Sequence, residues 1–429
     1  MPRREFEPGL DGARALDAAD ELGAFRRRFE LPKQNGRALT YLCGHSLGLM
    51  PKGARRYVDV ELERWAQRGV DGHFAEAAER GWFDYHRRFC GPLAALVGAK
   101  ADEVIAMNSL TVNLHLMLVS FFRPTKERHK ILIERDAFSS DRYAVQSQLR
   151  FHGFDPNEAL LEIEPSEDSR QLDAERLRAV LEEQGERIAL ILLPGVQYLS
   201  GERLDIAALT SAARHFGCRI GFDLAHAVGN VPLALHDDGP DFAVWCSYKY
   251  LNGGPGAVGG CFVHRRFERD STLPRFAGWW GHDSVQRFKM HREFAPMPGA
   301  EGWQLSNPPI LALAPLAASL ELFEEADFQK LRRKSERLTR YLEHQLSEQL
   351  GERITILTPS DPARRGCQLS LQLNRTPRDS AGVTADLRRA GVVADIREPN
   401  VLRLAPVPLY NRFRDVFGAV RALREALAE

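Results

Sequence analysis

The sequence predicts an α/β fold in which a large, doubly wound domain carries a mainly parallel sheet. Short apolar runs alternate with helix-like segments between residues 103 and 252, and this alternation is typical of buried parallel strands joined by crossover helices. Two of the runs, 218–224 and 241–248, end in or beside ionisable side chains. Because open α/β sheets bind ligands at the carboxyl ends of their strands, we expect a ligand site there.

A change of pattern near residue 328 marks a second, smaller domain. A long charged helix over 328–350 is followed by alternating runs, a short helical stretch and a last helix, which is an α+β pattern. We therefore predict a large domain over 45–315 and a small α+β domain formed by 1–44 and 316–429.

Composition argues against several classes of protein. The 429 residues carry 58 basic and 58 acidic side chains, so no charge excess points to nucleic acid or to a membrane surface. The six cysteines form no CxxC pair, so neither a zinc site nor a disulfide framework is indicated and no metal is expected. Without an apolar signal core or a run of about 18 apolar residues, the protein is expected to be cytoplasmic.

The first motif along the chain is Gly44-His45-Ser46-Leu47-Gly48. It matches the GxSxG pattern of serine hydrolases, in which the serine lies on a sharp turn between a strand and a helix. Pro51 falls where that helix should be consolidating. We favour instead a loop whose glycines let the backbone lie close to a ligand.

The next motif predicts a phosphate site. Residues 103–118 predict a strand, a polar turn at Asn108-Ser109 and a helix with Thr111 in its first turn. The free N–H groups and the dipole at a helix amino terminus bind phosphate, although an ordinary Ser/Thr cap explains the same residues. Phe138, after the strand at 130–134, is either core or an aromatic plate for a pyridine ring.

Asp223 and Lys249 carry the chemical prediction. Alone, each is better explained by a helix cap or a surface lysine, but two parallel strands deliver both to one edge of the sheet. Pyridoxal phosphate requires a lysine for its Schiff base and a carboxylate that keeps its pyridine nitrogen protonated. The pair therefore predicts pyridoxal 5′-phosphate as the cofactor.

The glycine-rich segment after Lys249 offers a competing interpretation. Gly254-x-Gly256-x-x-Gly259 has the letters of the dinucleotide fingerprint. The segment 261–264 that follows it is a predicted strand, whereas the fingerprint requires a helix. We reject NAD and expect these glycines to relax steric demands beside the lysine.

Five motifs resemble the kynureninase family. They are Met107–His115, Phe222–Asn230, Trp245–Asn252, Ser306–Ile310 and Leu404–Asn411. The tyrosine before the lysine, Tyr248, is informative because related desulfurases and aminotransferases more often carry histidine there. The matches run in order from about residue 41 to 411.

The resemblance implies a fold-type-I pyridoxal-phosphate enzyme with a seven-stranded sheet, working as a homodimer. Its reaction would be the hydrolysis of L-kynurenine, and of 3-hydroxy-L-kynurenine, to anthranilate or 3-hydroxyanthranilate and L-alanine. Such a hydrolase of a carbon–carbon bond in a ketone would serve tryptophan catabolism, the kynurenine pathway and NAD biosynthesis. The freed Lys249 amine would remove the Cα proton, and water would add to the γ-carbonyl before Cβ–Cγ breaks.

The resemblance also implies roles for particular residues. Lys249, Tyr248 and Asp223 would be catalytic, with Tyr248 as the acid–base group. The cofactor would be bound by Leu110, Thr111, Phe138, Ser139, Ser140, Asp141, Asp223, His226, Tyr248, Lys249, Trp279 and Asn307. The substrate would be bound by Ser46, His73, Asn307 and Arg403, whose guanidinium suits a carboxylate. Trp279 and Asn307 would reach into the neighbouring subunit's site.

Two positions depart from the family pattern. The first loop usually reads Gly-Asn-Ser-Leu-Gly, so His45 leaves the contacts of Ser46 open. Pro194 stands where several members carry a serine that contributes to the cofactor pocket.

Two other functions remain possible. A desulfurase of the same fold is the first, but a cysteine-bearing loop is missing from the carboxyl half, and Cys367 starts a predicted strand. A non-catalytic relative is the second, and it would require a blocked pocket even though Lys249 and Asp223 are both present.

Overall fold

A computed structural model describes residues 6–74, 81–165, 172–270, 272–374 and 380–428. Its α-helices are α1 (Gly9–Ala18), α2 (Ala54–Arg68), α3 (Arg87–Val97), α4 (Leu110–Phe121), α5 (Ser139–Phe151), α6 (Pro156–Ala159), α7 (Ala174–Gln184), α8 (Ile206–His215), α9 (Leu235–Asp238), α10 (Ile310–Ala326), α11 (Phe328–Leu350), α12 (Ser380–Arg389) and α13 (Phe413–Ala426). Its strands are β1 (Lys33–Gln34), β2 (Arg37–Ala38), β3 (Thr40–Tyr41), β4 (Val104–Ala106), β5 (Lys130–Glu134), β6 (Leu160–Ile163), β7 (Ile188–Pro194), β8 (Arg219–Asp223), β9 (Phe242–Trp245), β10 (Gly260–Val263), β11 (Ile354–Ile356), β12 (Leu369–Leu373), β13 (Val392–Val393), β14 (Asp395–Arg397) and β15 (Val401–Leu404).

The central sheet has seven strands in the order β4-β10-β9-β8-β7-β5-β6. Strand β10 is antiparallel to both of its neighbours, whereas the four pairs from β9 to β6 are parallel. This confirms the predicted mainly parallel seven-stranded sheet.

Helices cover both faces of this sheet. Along β5, Leu132 packs into a cluster with α3, α7, α8 and α10, while Ile131 and Ile133 pack into a second cluster with α4 and α5. Successive side chains of a strand point to opposite faces, so a strand buried on both sides needs the continuous apolar run that the sequence shows.

A four-stranded antiparallel sheet, β11-β12-β15-β14, forms the smaller layer. The amino-terminal segment packs with the same part of the chain, because β3 pairs with β13 in a separate two-stranded sheet and because Phe6 and Leu42 share a buried cluster with α11 and α13. Helix α10 runs without interruption across the predicted limit at 315/316, and its buried residues as far as Ala326 pack with the large sheet. We therefore propose that the limit lies near Asp327. In the described chain, every helix is too short or too polar to cross a membrane.

Candidate active site

The carboxyl ends of β5, β7 and β8 surround a cavity of about 170 Å³, which we call the strand-end cavity. Strand β8 ends at Asp223, whose register partner on β7 is Pro194. Lys249 lies in the turn that follows β9, a strand that ends at Trp245 rather than near 248 as the apolar run suggested. The cavity is lined by nine residues of the predicted site, namely Leu110, Thr111, Phe138, Ser140, Asp141, Asp223, His226, Tyr248 and Lys249.

The amine of Lys249 is held by a histidine and an aromatic ring. Its Nζ lies 3.0 Å from Nε2 of His226 and 5.8 Å from the centre of the Phe138 ring. Burial, and then the charge of Lys249, lower the pKa of His226. The imidazole is therefore neutral and can accept a hydrogen bond from the lysine.

Three buried carboxyl groups, those of Glu134, Asp141 and Asp223, line the cavity. The backbone N–H of Ala225 donates to Oδ1 of Asp223 at 2.7 Å. Burial, and then the Asp223 carboxylate, raise the pKa of Asp141. Burial also raises the pKa of Glu134 to about 8. A cation would relieve this crowding of acids, and a protonated ring nitrogen is such a cation.

The start of helix α4, which also lines the cavity, is suited to an anion. Helix α4 begins at Leu110, and in the described chain the Ser109 side chain makes no capping hydrogen bond to its first turn. The hydroxyl oxygens of Thr111 and Ser140 lie 2.9 Å apart beside it. A Cβ on Gly259 would lie 3.1 Å from the backbone nitrogen of Leu110, so the glycine-rich loop packs closely on this helix start.

These features match the parts of pyridoxal 5′-phosphate. Lys249 would form the Schiff base, the buried acids would pair with a protonated ring nitrogen, and the free N–H groups at the start of α4 would bind the phosphate. The residues present therefore fit this cofactor.

The Gly44–Gly48 loop packs against the backbone of Tyr248 and Lys249 and is not part of the cavity lining in the described chain. The backbone N–H of Gly48 donates to the carbonyl oxygen of Tyr248 at 2.8 Å, and a Cβ on Gly48 would lie 2.3 Å from the carbonyl oxygen of Lys249. Ser46 is exposed in a coil between β3 and α2. This geometry is incompatible with a nucleophile elbow, which needs a strand leading directly into a helix.

Six predicted residues lie outside the lining of the strand-end cavity in the described chain. They are Ser46, His73, Ser139, Trp279, Asn307 and Arg403. Trp279 is 44% exposed, and Ser46, Ser139 and Asn307 are exposed as well. The His73 ring stacks on Phe83 with a centroid distance of 4.8 Å. Their roles remain predictions.

Arg403 adjoins the cavity through Tyr198. The Arg403 side chain is buried on β15, where its Nε donates to Oδ2 of Asp395 at 2.8 Å. Its Nη1 donates to the carbonyl oxygen of Tyr198 at 2.8 Å. Tyr198 lines the cavity and meets the Phe138 ring edge to face at 5.3 Å.

Three members of this neighbourhood were not predicted from the sequence: Glu134, Tyr198 and Asp395. Glu134 had a detectable signal, since it ends an apolar strand as Asp223 does. Asp395 had none, because its position depends on the pairing of β14 with β15, which sets it opposite Arg403. Pro194 lines the cavity but has no N–H to donate.

Comparison with known proteins relates the whole chain to one family. The family described as Kynureninase C-terminal domain matches residues 331–423. A kynureninase of Xanthomonas campestris pv. campestris (strain B100) is 54% identical over 408 residues, which is 95% of this chain and 96% of that protein. A kynureninase of Myxococcus xanthus (strain DK1622) is 52% identical over 419 residues, 97% of each chain.

Solved structures show the same fold at low identity. The cysteine desulfurase CsdA from Escherichia coli has a TM-score of 0.76 and 16% identity, covering 95% of this chain and 98% of that one. A mutant of C-DES with glycine covalently linked to its PLP cofactor has a TM-score of 0.75 and 16% identity, covering 90% and 96%. These likenesses support the fold-type-I architecture.

Proposed function

The chain belongs to the kynureninase family, and from this premise we propose how its residues hydrolyse L-kynurenine to anthranilate and L-alanine. The enzyme uses pyridoxal 5′-phosphate, and the reaction is a step of tryptophan catabolism. The observation that supports the residue roles is the strand-end cavity, which is lined by Lys249, by the Phe138 ring and by the three buried acids.

The cofactor, when bound, supplies an electron sink for the carbons next to the substrate amine. Lys249 would hold it covalently, and Phe138 would stack on its ring. Asp223 would pair with the ring nitrogen, assisted by Asp141. The phosphate would lie on the start of α4, beside Thr111.

Lys249 and Tyr248 would move the protons. The Lys249 amine faces the cavity beside a histidine that accepts its hydrogen bond, so it is placed to take the proton from the substrate α-carbon. Burial, and then the neighbouring Cys246, raise the pKa of Tyr248. Its phenol is therefore protonated at neutral pH and can donate to the β-carbon after the bond to the carbonyl carbon breaks.

Arg403 would bind the substrate carboxylate. Its buried, planar guanidinium donates a hydrogen bond to the carbonyl oxygen of Tyr198, and Tyr198 lines the cavity. Burial strengthens such an ion pair, because little water competes for the guanidinium.

The aromatic end of the substrate would be met by two subunits. We propose a homodimer in which the exposed Trp279 and Asn307 complete the partner's site, with His73 and Ser46 beside the ring. These polar groups would also accept 3-hydroxy-L-kynurenine, and we propose a role of the reaction in NAD biosynthesis. A cytoplasmic location is supported by six buried cysteines that form no disulfide.

A desulfurase activity has less support. All six cysteines are buried, and Cys367, in the carboxyl half, is 1% exposed, so none is presented as a persulfide carrier. The test is to incubate the purified, cofactor-loaded protein with L-kynurenine and to follow fluorescent anthranilate together with L-alanine. Equimolar release of both supports the proposal. Sulfide release in a parallel incubation with L-cysteine, without any anthranilate from L-kynurenine, would contradict it.

A further inference from the structure

Asp395 is shared between Arg403 and His45. Its Oδ2 atom accepts hydrogen bonds from Nε and Nη2 of Arg403 and lies 3.3 Å from Nε2 of His45. The His45 side chain is fully buried, and its Nδ1 has no hydrogen-bond partner among the described residues. One carboxylate oxygen therefore has three nitrogen partners, which belong to two buried side chains.

A substrate carboxylate changes the charge balance at this point. This argument depends on the proposed role of Arg403. A carboxylate arriving at the guanidinium would bring a second anion close to Asp395, and two carboxylates sharing one cation repel each other. Arg397 lies 3.6 Å from the same oxygen but is 41% exposed, so water screens its charge. Stable binding therefore requires another buried partner for Asp395.

His45 is the buried group that can become that partner. The charged and titratable groups that face it are Asp395, Arg403, Lys249 and His226. Burial, together with the charges of Arg403 and Lys249, lowers the pKa of His45 to about 4 against the opposing effect of Asp395. A substrate carboxylate cancels the charge of Arg403, and this change favours a proton on His45.

We propose that His45 is a positioning residue that becomes the main ion-pair partner of Asp395 when the substrate carboxylate binds Arg403. In doing so its free Nδ1 takes one proton from solvent, and the His45–Asp395 contact becomes a buried ion pair. The guanidinium N–H groups of Arg403 can then bind the substrate carboxylate, because protonated His45 now neutralises the charge of Asp395.

The experiment measures ligand binding to the cofactor-loaded enzyme. L-Alanine, the amino-acid product, carries the carboxylate, and L-alaninamide has a neutral amide in its place. Binding is followed by the visible absorbance of the cofactor. Titration calorimetry in two buffers with different ionisation enthalpies counts the protons taken up. His45→Asn keeps a hydrogen-bond donor but cannot be protonated.

We expect His45→Asn to weaken L-alanine binding about three- to tenfold and to abolish the associated proton uptake. Binding of L-alaninamide should change less than about twofold, and the KM for L-kynurenine should rise more than kcat falls. In an Asp395→Asn background, His45→Asn should have no further effect, because the anion that it serves is gone.

Two results would overturn the inference. One is an equal effect of His45→Asn on both ligands, and the other is unchanged proton uptake. Arg403→Lys separates this inference from the proposed function. If the wild type releases anthranilate and Arg403→Lys weakens L-alanine binding while His45→Asn changes nothing, the inference about His45 fails and the function stands.

Discussion

The Nζ atom of Lys249 lies 3.0 Å from Nε2 of His226, inside the cavity at the strand ends. Since burial and the nearby lysine lower the pKa of this histidine, the imidazole accepts the hydrogen bond and does not compete as a second cation. Its Nδ1 is buried without a hydrogen-bond partner among the described residues. The contact keeps the lysine amine oriented toward the cavity.

Replacing Lys249 by alanine should remove both colour and activity. Wild-type protein should be yellow when loaded with cofactor, and reduction with borohydride should fix the cofactor on Lys249, as peptide mass spectrometry would show. Lys249→Ala should lack the adduct and turnover. Exposed Lys126→Ala serves as the control and should keep both. Recovery of the adduct on another lysine would refute the assignment.

Asp223→Asn should slow the reaction without preventing cofactor attachment. The amide cannot hold a proton on the ring nitrogen by charge, so we expect a loss of about 3–5 kcal/mol of transition-state stabilisation, roughly three orders of magnitude in kcat. Exposed Asp237→Asn is the control. A rate within a few-fold of wild type would contradict the proposed role.

Glu134→Gln should stabilise the cofactor-free protein in a pH-dependent way. Burial raises the pKa of Glu134 from 4.5 to about 8, so its contribution to folding is fully present below pH 4.5 and is lost as pH rises through 8. The advantage of the glutamine variant should therefore grow between these values, by at most about 1.4 kcal/mol per pH unit, and then level off. Urea unfolding at a series of pH values measures it.

The exposed Glu175→Gln variant provides the matched control for that series. A constant difference between Glu134→Gln and wild type across the whole range would show that Glu134 is not held protonated.

Shared active sites should be visible by complementation. Lys249→Ala and Asn307→Ala subunits would each be impaired as homodimers. In a mixed dimer, however, the intact Lys249 of one chain meets the intact Asn307 of the other. Random association of equal amounts should restore about a quarter of the wild-type sites. If mixtures are only as active as the sum of the separate variants, Asn307 acts within its own subunit.

We expect His73 and Asn307 to recognise the ring end of the substrate. Polar groups that the bound substrate would bury without a partner cost on the order of 1–3 kcal/mol, and a ring hydroxyl could satisfy them. We expect kcat/KM for 3-hydroxykynurenine to equal or exceed that for kynurenine. His73→Phe combined with Asn307→Ala should lower this ratio. A wild-type preference for kynurenine above tenfold, or a ratio that the substitutions leave unchanged, would show otherwise.

The sequence by itself determined the sheet, the cofactor and the family. Apolar runs read directly as strands because a strand buried on both faces must be apolar throughout. The pair of Asp223 and Lys249 was detectable because the carboxyl ends of parallel strands meet at one edge of a sheet. Glu134 likewise ends the apolar strand β5, but it was not among the predicted site residues.

Only the tertiary structure decided which distant side chains meet. Asp395 lies opposite Arg403 because of the β14–β15 register, and His45 reaches the same carboxylate from a loop 350 positions away. No local pattern encodes such a contact, since it depends on how the amino-terminal loop packs on the small domain. The raised pKa of Glu134 likewise follows from burial, which is a property of the folded surroundings and not of the residue.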